Sequence, residues 1–408
     1  NDYTERRFSP LDQINTSNAS SLGLDWALDM PDAIQFVSTP LAIDGVLYFS
    51  GDRSIVRAVD GSTGELLWTF NPEIHKHSPR TIALGWNINR GLAYLNGKLF
   101  IGATDGRLIA VDLETGKQIW TTETFDPAES KAITGAPRAF KNQVVIGHGG
   151  AEYGTRGYVS AYDAETGEQL WRFYTVPGNP ADGFENSSME MAAETWFGEW
   201  WKTGGGGTVW DAITYDEELH QLYIGVGNGD PWDYDLRSDG KGDNLFLGSI
   251  VALDPDTGKY LWHYQATPGE RWDFKSTQDM ILTELEIDGR LRKILMQAHT
   301  NGHFYVLDRE DGTLLSAEKY AKSTWAKYID IETGKPVLSE EAKYRDGGPS
   351  LIWPSPFGSH NWQSMSYSPN TGLVYIPEMQ LAGEYSVGPD PEFRDKFLRV
   401  NILVDYKE

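Results

Sequence analysis

The chain has 408 residues, of which 12% are aromatic and 43 are glycine, and its formal net charge at pH 7 is −24. It contains no apolar run of about 18 residues, so we expect no membrane span. An acidic chain without a basic stripe is a poor match for nucleic acid as a partner. The lack of cysteine excludes disulfides and thiolate metal sites within these residues.

A phrase of the form Ala-x-Asp-x-x-Thr-Gly, followed four residues later by Trp, recurs along the chain. Full copies begin at Ala58, Ala110, Ala161 and Ala252, and their tryptophans are Trp68, Trp120, Trp171 and Trp262. A degenerate fifth copy begins at Val306 and has Ser316 where tryptophan is due. The copies follow each other at about 50 residues, except that 91 residues separate Asp163 from Asp254, which leaves room for an extra, disguised unit.

The phrase predicts a tight turn between two short strands. Its aspartate caps backbone N–H groups, its glycine takes a positive φ, and alternating apolar residues flank it. A turn-and-strand unit repeated at about 50 residues is typical of a β-propeller blade, with the tryptophan packed between blades. We therefore predict an all-β propeller in which residues 1–408 form a single domain.

Five stretches between the regular turns have compositions that strand packing alone does not require. They are 89–91, 149–157, 204–211, 227–232 and 267–274, and each lies near an expected strand end. A propeller collects its functional groups at such ends, around the central axis.

Together these stretches closely resemble the pyrroloquinoline quinone (PQQ)-dependent alcohol dehydrogenases, with methanol dehydrogenase more distant. The resemblance runs from Phe8 to about Pro377. It implies a propeller of eight blades that binds PQQ beside a calcium ion near the axis. It also implies a periplasmic enzyme that oxidises an alcohol to an aldehyde or ketone and passes electrons to an acceptor such as a cytochrome c or a quinone.

The resemblance also assigns residues. Glu152 and Asn228 match oxygen ligands of the metal, and Asp273 matches both a metal contact and the catalytic base. Trp210 matches the aromatic surface on which the cofactor stacks, and Arg90 matches the cation that pairs with cofactor carboxylates. Further cofactor-wall positions are Thr134, Gly150, Ala151, Thr208, Asn361 and Trp362.

Each of these residues has a simpler alternative role. Glu152 could pair with Arg156 four residues on, and Asn228 could belong to an ordinary turn with Gly229. Asp273 could cap a turn, and Trp210 could belong to the core. The joint occurrence of the motifs in the family order favours the functional interpretation.

The sequence departs from the family at several positions. An adjacent Cys-Cys pair is replaced by Leu84-Gly85, an expected glutamate before Thr39 is Val37, and the lysine or arginine that reaches the quinone is Thr300. Two residues after Asp273, where calcium enzymes carry a small neutral residue and lanthanide enzymes an aspartate, stands Lys275. We expect Lys275 either to replace the cation lost at position 300, as a cofactor-binding residue, or to point to solvent. In neither case is a lanthanide expected.

The resemblance ends before the family's last two blades. About six blades are visible, and the stretch 24–28 looks like a strand that would complete the final blade. A second polypeptide or a longer parent chain is favoured over a smaller closed ring, because an open propeller exposes strand edges. The first residue is Asn1, from which we expect that a leader or tag preceded it.

Two hypotheses about function follow. The first is a PQQ- and calcium-dependent alcohol dehydrogenase with no haem on this chain, since no Cys-x-x-Cys-His occurs. The second is a catalytically lapsed propeller that serves as a binding or assembly module, or as one part of a split enzyme. Retention of three metal-type ligands favours the first.

Overall fold

Short antiparallel strands joined by tight turns dominate the structure, a computed structural model that describes residues 2–31, 33–78, 87–388 and 402–407. The first twelve strands form three four-stranded sheets, each paired in sequence order. Sheet 1 contains β1 (Leu41–Ile43), β2 (Val46–Ser50), β3 (Val56–Asp60) and β4 (Leu66–Phe70). Sheet 2 contains β5 (Leu92–Leu95), β6 (Lys98–Gly102), β7 (Arg107–Asp112) and β8 (Gln118–Glu123). Sheet 3 contains β9 (Arg138–Phe140), β10 (Gln143–Gly147), β11 (Tyr158–Asp163) and β12 (Gln169–Tyr174).

Two further four-stranded sheets follow. The next six strands are β13 (Gly205–Gly206), β14 (Ile213–Asp216), β15 (Gln221–Gly225), β16 (Gly229–Asp230), β17 (Ser249–Leu253) and β18 (Tyr260–Gln265). Strands β14, β15, β17 and β18 form sheet 4, while β13 pairs with β16. Sheet 5 contains β19 (Ile281–Ile287), β20 (Arg290–Ala298), β21 (His303–Asp308) and β22 (Leu314–Lys319).

The remaining strands are β23 (Ala326–Ile329), β24 (Pro336–Leu338), β25 (Ser350–Ile352), β26 (Ser366–Ser368), β27 (Leu373–Tyr375), β28 (Ala382–Val387) and β29 (Ile402–Lys407). They form the hairpins β23–β24 and β26–β27 and a three-stranded sheet in the order β25-β28-β29.

Helices are few and short. The α-helices are α1 (Ile74–His77), α2 (Ser187–Ala193), α3 (Tyr234–Ser238) and α4 (Tyr344–Gly347). Single 3₁₀ turns occupy Ala19–Ser21, Asp52–Ser54, Ala151–Tyr153, Pro180–Asp182 and Trp200–Lys202. Within the described ranges, no helix has the length and apolar character needed to cross a bilayer.

The repeated phrase forms the turn between the third and fourth strands of each sheet, as predicted. In sheet 1, Asp60 Oδ1 accepts the Thr63 amide at 2.9 Å, and Gly64 has φ +74°. The same turn also occurs at Asp330, which the repeated phrase does not mark. There Tyr328 stands in place of the alanine, and no tryptophan follows. There Asp330 Oδ1 accepts the Thr333 amide at 2.9 Å.

The long interval between Asp163 and Asp254 contains no additional four-stranded sheet, although all of its residues are described. The room that the sequence leaves there for an extra, disguised unit is therefore not filled by one. The added length forms helix α2, two 3₁₀ turns and β13 before sheet 4, and β16 with helix α3 inside it. These insertions carry two of the unusual stretches, 204–211 and 227–232, which explains why they interrupt the repeat.

Each repeated tryptophan packs against the turn of the next sheet, which confirms its predicted role. The Trp171 indole N–H donates to the Pro255 carbonyl at 3.0 Å, and a Cβ built on Gly258 would lie 2.5 Å from the Trp171 ring. The same contact joins Trp68 to Gly116 and Trp120 to Gly167. Large apolar clusters are likewise shared by neighbouring sheets, as where Phe140 of sheet 3 stacks on Tyr215 of sheet 4 at 4.0 Å.

The stretch 24–28 behaves differently from the prediction. It pairs with no described strand, so it is not a strand in this structure. Trp26 nevertheless makes the repeated contact, because its N–H donates to the Gly61 carbonyl at 3.0 Å and its ring lies against Gly64. Trp26 therefore occupies the position of a tryptophan from a sheet that would precede sheet 1.

A segment near the amino end ties several sheets together. The Thr4 carbonyl accepts the Leu282 amide at 2.8 Å, and Arg7 pairs with Asp279 at 3.0 Å, both at the start of sheet 5. Glu5 pairs with Arg138 of sheet 3 at 3.1 Å. This segment thus bridges the first strands of sheets that are not neighbours in sequence.

We expect Gly258→Ala to destabilise the protein by roughly 2–4 kcal/mol. The added methyl group must displace the Trp171 ring, and the alanine backbone must adopt a φ of +68°. Gly289→Ala is the matched control, since Gly289 has φ +71° and open space where its Cβ would stand. Urea unfolding of both variants separates the contact from the backbone strain. Equal destabilisation by the two substitutions would contradict the packing role of Trp171.

Candidate functional site

A cavity of about 250 Å³ brings together most of the residues that the sequence predicted for cofactor and metal binding. Its lining consists of Ile88, Arg90, Thr134, Gly149, Gly150, Ala151, Glu152, Thr208, Trp210, Asn228 and Lys275. These residues come from sheets 2, 3 and 4 and from the loop that enters sheet 5. The sequence places them up to 187 positions apart, so only the repeat architecture makes them neighbours.

The cavity forms where the chain enters the first strands of successive sheets. Arg90 precedes β5, Thr134 precedes β9 and Trp210 precedes β14. The Arg90 amide donates to the Thr134 carbonyl at 3.0 Å, which fixes two of these entries to each other. A Cβ on Gly135 would lie only 2.2 Å from the Trp210 carbonyl, so the third entry can approach this closely only because residue 135 is glycine.

Arg90 lies between two aromatic rings at one end of the cavity. Its guanidinium carbon is 4.6 Å from the Trp210 ring centroid and 5.2 Å from that of Trp362. Its Nε and Nη1 atoms are buried, and no described residue forms a hydrogen bond with either of them. Burial lowers the pKa of Arg90, and the Asp211 carboxylate opposes that effect. A buried, unpaired guanidinium beside a cavity is suited to an anionic group of a ligand, such as a carboxylate.

Glu152 and Asn228 meet on another wall of the cavity. The Asn228 amide donates to Glu152 Oε1 at 2.8 Å, and the Trp232 indole N–H donates to the same oxygen at 3.3 Å. The alternative pairing of Glu152 with Arg156 does not occur, because Arg156 forms a two-point ion pair with Glu185. Glu152 therefore faces the cavity rather than the surface.

Asp273 and Lys275 form a buried ion pair beside these groups. Lys275 Nζ lies 2.6 Å from Asp273 Oδ2, while the buried Asp273 Oδ1 has no hydrogen-bond partner among the described residues. Burial raises the pKa of Asp273 well above its ordinary value, the Lys275 ammonium opposes that rise, and Glu152 adds to it. Lys275 lines the cavity, so the expectation that it points to solvent is excluded.

Two neighbours hold this loop in place. Glu270 Oε1 accepts the Trp272 and Phe274 amides at 2.7 and 3.0 Å, which supports the positive φ of +64° at Asp273 between them. The Thr300 hydroxyl accepts the Lys275 amide and donates to the Lys275 carbonyl, both at 2.9 Å. Thr300 thus acts on the backbone of Lys275 and does not itself line the cavity.

The structure does not bring every predicted residue into the cavity lining. Asp273, the predicted base and metal contact, is not a lining residue, although its ion-pair partner Lys275 is. Asn361 uses its side-chain amide locally, donating to the Phe357 carbonyl at 2.8 Å and accepting the Trp362 amide at 2.9 Å. Trp362 reaches the site only through its contact with Arg90. Val37 is half-buried and outside the lining, and Leu84-Gly85 lie outside the described residues.

Sequence reasoning missed Trp232, Ile88 and Asp211. Trp232 ends the unusual stretch 227–232, which also contains Asn228. Its membership of that stretch is the one sequence signal that points to its contact with Glu152. Asp211 follows Trp210, and no motif marks it as titratable near neutral pH. Burial raises the pKa of Asp211 to about 7, and the Asp279 carboxylate adds to the rise, while the Arg90 guanidinium opposes both.

The donor set is compatible with a hard cation. Two carboxylates and one amide, from Glu152, Asp273 and Asn228, offer oxygen atoms, and the unpartnered Asp273 Oδ1 has no competing donor. Ca²⁺ takes six to eight oxygen ligands, so this set needs further oxygens from a bound cofactor or water. In the described part of the chain, no group of three or more His, Asp or Glu side chains is placed to hold a metal.

Comparison with known proteins identifies the family. A family model described as glucose/ethanol/alcohol dehydrogenase, beta-propeller domain, and designated PQQ, matches residues 1–322. The chain therefore belongs to the PQQ-dependent alcohol dehydrogenase β-propeller family, which confirms the resemblance seen in the sequence.

Relatives found by sequence identity and by structural superposition belong to the same group of proteins. The chain is 55% identical over 384 residues to quinohemoprotein alcohol dehydrogenase ADH IIB of Pseudomonas putida, an alignment that covers 94% of this chain and 55% of that protein. It superposes on quinohemoprotein alcohol dehydrogenase ADHIIG of P. putida HK5 with a TM-score of 0.93 and 48% identity, covering 99% of this chain and 60% of that one. A europium-containing methanol dehydrogenase superposes with a TM-score of 0.90 at 33% identity, covering 99% of this chain and 72% of that one. The chain thus spans little more than half the length of ADH IIB.

We expect the Asp211→Asn substitution to stabilise the protein relative to wild type, by an amount that grows as pH rises from 5 to 8. A carboxyl whose pKa rises from 3.8 to about 7 on folding loses its favourable contribution as pH increases through that window. Thermal unfolding from pH 5 to 8 measures the effect, with the exposed Asp12→Asn as control. An Asp211→Asn melting temperature that parallels wild type at every pH would contradict the shifted pKa.

Proposed function

We propose that this chain is the cofactor-binding propeller of a PQQ- and calcium-dependent dehydrogenase that oxidises an alcohol to an aldehyde or ketone. The observation that carries the proposal is the arrangement of one cavity. Its lining includes the buried Arg90 on the face of Trp210 and the oxygen-bearing side chains of Glu152 and Asn228. Lys275, also in the lining, is paired with the buried Asp273. The names of the relatives supply the substrate class, alcohols.

Binding of the quinone is assigned to Arg90, Trp210 and the surrounding walls. The Nε and Nη1 donors of Arg90, which have no partner among the described residues, would each be able to donate to an anionic group of the cofactor such as a carboxylate. The Trp210 ring offers a flat apolar face to a planar cofactor. Thr134, Gly150, Ala151 and Thr208 complete the walls, where the two small loop residues leave the backbone accessible.

Metal binding is assigned to Glu152, Asn228 and Asp273. Trp232 and the Asn228 amide hold Glu152 in its orientation by hydrogen bonds, so little ordering remains to be done on binding. Bound Ca²⁺ would offset the repulsion between the Glu152 and Asp273 carboxylates, which contributes to the raised pKa of Asp273. A bound divalent cation and PQQ would supply Lewis acidity and a hydride acceptor.

Proton transfer is assigned to Asp273. Its Oδ1 is buried, carries no protein hydrogen bond, and is therefore able to accept the hydroxyl proton of an alcohol placed in the cavity. Without metal, the Lys275 ammonium donates to Oδ2 and leaves Oδ1 free of that contact. We assign Lys275 as the cation of the cofactor cavity, since Thr300 contributes only a hydroxyl turned to the Lys275 backbone.

The wider assignment extends the same proposal. The described sheets belong to a single eight-bladed propeller, of which this chain supplies about six blades and a further polypeptide segment the rest. The enzyme is periplasmic and delivers electrons to an acceptor such as a cytochrome c or a quinone. Relatives named quinohemoprotein or "dehydrogenase subunit" support a haem-containing acceptor or partner, in keeping with the lack of a haem motif here.

We expect Asp273→Asn to lower kcat for a primary alcohol by roughly 10²- to 10⁴-fold, because the amide cannot accept the hydroxyl proton. Asp254→Asn, in an exposed turn outside the cavity lining, is the matched control and should keep its turnover. The measurement is dye-linked alcohol oxidation by the full chain reconstituted with PQQ and Ca²⁺, with thermal unfolding to check the fold. Undiminished turnover in a folded Asp273→Asn variant would remove Asp273 from the mechanism.

A further inference from the structure

The Lys275 side chain lies between a proposed metal ligand, Asp273, and the cavity proposed for the cofactor. Its ammonium lies 2.6 Å from Asp273 Oδ2, and both side chains are buried, at 11% and 8% exposure. The same lysine lines the cavity together with Arg90, Glu152 and Asn228. One cationic side chain thus belongs both to the proposed metal ligand Asp273 and to the space proposed for the cofactor.

The backbone of Lys275 is fixed, whereas its side chain is long and unbranched. Thr300 Oγ1 bonds to both the amide and the carbonyl of Lys275 at 2.9 Å, so the main chain cannot carry the ammonium away. Four rotatable side-chain bonds still let the ammonium move by several ångströms. Any change of partner by Lys275 is therefore a side-chain movement within the cavity.

A divalent cation and an ammonium on the same carboxylate repel each other. At a separation of about 5 Å inside a protein, this repulsion is large enough to change a binding constant by more than 10-fold. A metal at Glu152, Asn228 and Asp273 would therefore drive Lys275 away from Asp273. The free space open to the ammonium is the cavity that Lys275 already lines.

We propose that Lys275 couples metal binding to cofactor binding by exchanging partners. Without metal it neutralises Asp273, and when the metal takes Asp273 the ammonium turns to an anionic oxygen of the quinone. The coupling rests on the function proposed above. Lys275 then opposes metal binding and favours cofactor binding. Removing its ammonium must therefore raise the affinity for the metal and lower the affinity for the cofactor.

The test compares wild type with Lys275→Met by isothermal titration calorimetry. In cofactor-free protein, the methionine variant should bind Ca²⁺ at least about 10-fold more tightly, because the competing ammonium is gone. In saturating Ca²⁺, the same variant should bind PQQ at least about 10-fold more weakly, because a cationic partner is lost. Lys117→Met, which removes one exposed positive charge elsewhere, should change neither affinity.

The outcomes separate the two proposals. Wild-type protein that binds neither Ca²⁺ nor PQQ would overturn the proposed function, and the coupling with it. Wild-type binding of both, with the two affinities of Lys275→Met unchanged or moved in the same direction, would overturn the coupling alone. Lys275→Arg guards against a folding defect, since it keeps the charge and should restore PQQ affinity in Ca²⁺ toward the wild-type value.

Discussion

The contact between a tryptophan of one sheet and the glycine turn of the next is the constraint on which the rest of the molecule depends. It recurs from Trp26 to Trp262, and each glycine leaves no room for a Cβ beside the indole ring. Because the same contact is made at each step, each sheet packs on the next through the same pair of elements. The entries to their first strands therefore converge, and Arg90, Thr134 and Trp210 meet at one cavity.

Local chemistry explains how much of this could be predicted. The turn around Asp60 needs only a carboxylate, a threonine and a glycine, all close in sequence, so its pattern reveals both the turn and the repeat. The content of the long interval before Asp254 could not be predicted, because insertions such as α2 follow no periodicity. The turn at Asp330 was missed for the reverse reason, since its geometry survives without the alanine and tryptophan of the pattern.

For the site, the sequence indicates which residues are present, but only the structure shows which of them are in contact. Family motifs in the sequence identified Glu152, Asn228 and Asp273, but not that Trp232 orients Glu152 or that Lys275 binds Asp273. Those contacts depend on loop conformations, including the positive φ of Asp273, that no short pattern encodes. Burial then gives Asp273 and Asp211 acid–base properties that their residue type alone would not indicate. The departures at Lys275 and Thr300, which the sequence linked only through the loss of a cation, are neighbours joined by two hydrogen bonds.

The most direct measurement of the central claim is a crystal structure of the protein with PQQ and Ca²⁺, with diffraction data collected to detect the anomalous signal of calcium. The account predicts a calcium peak in contact with oxygens of Glu152, Asn228 and Asp273. It also predicts a planar cofactor over Trp210 with a carboxylate on Arg90. A calcium peak away from those three residues, or a cofactor bound outside the cavity, would contradict it.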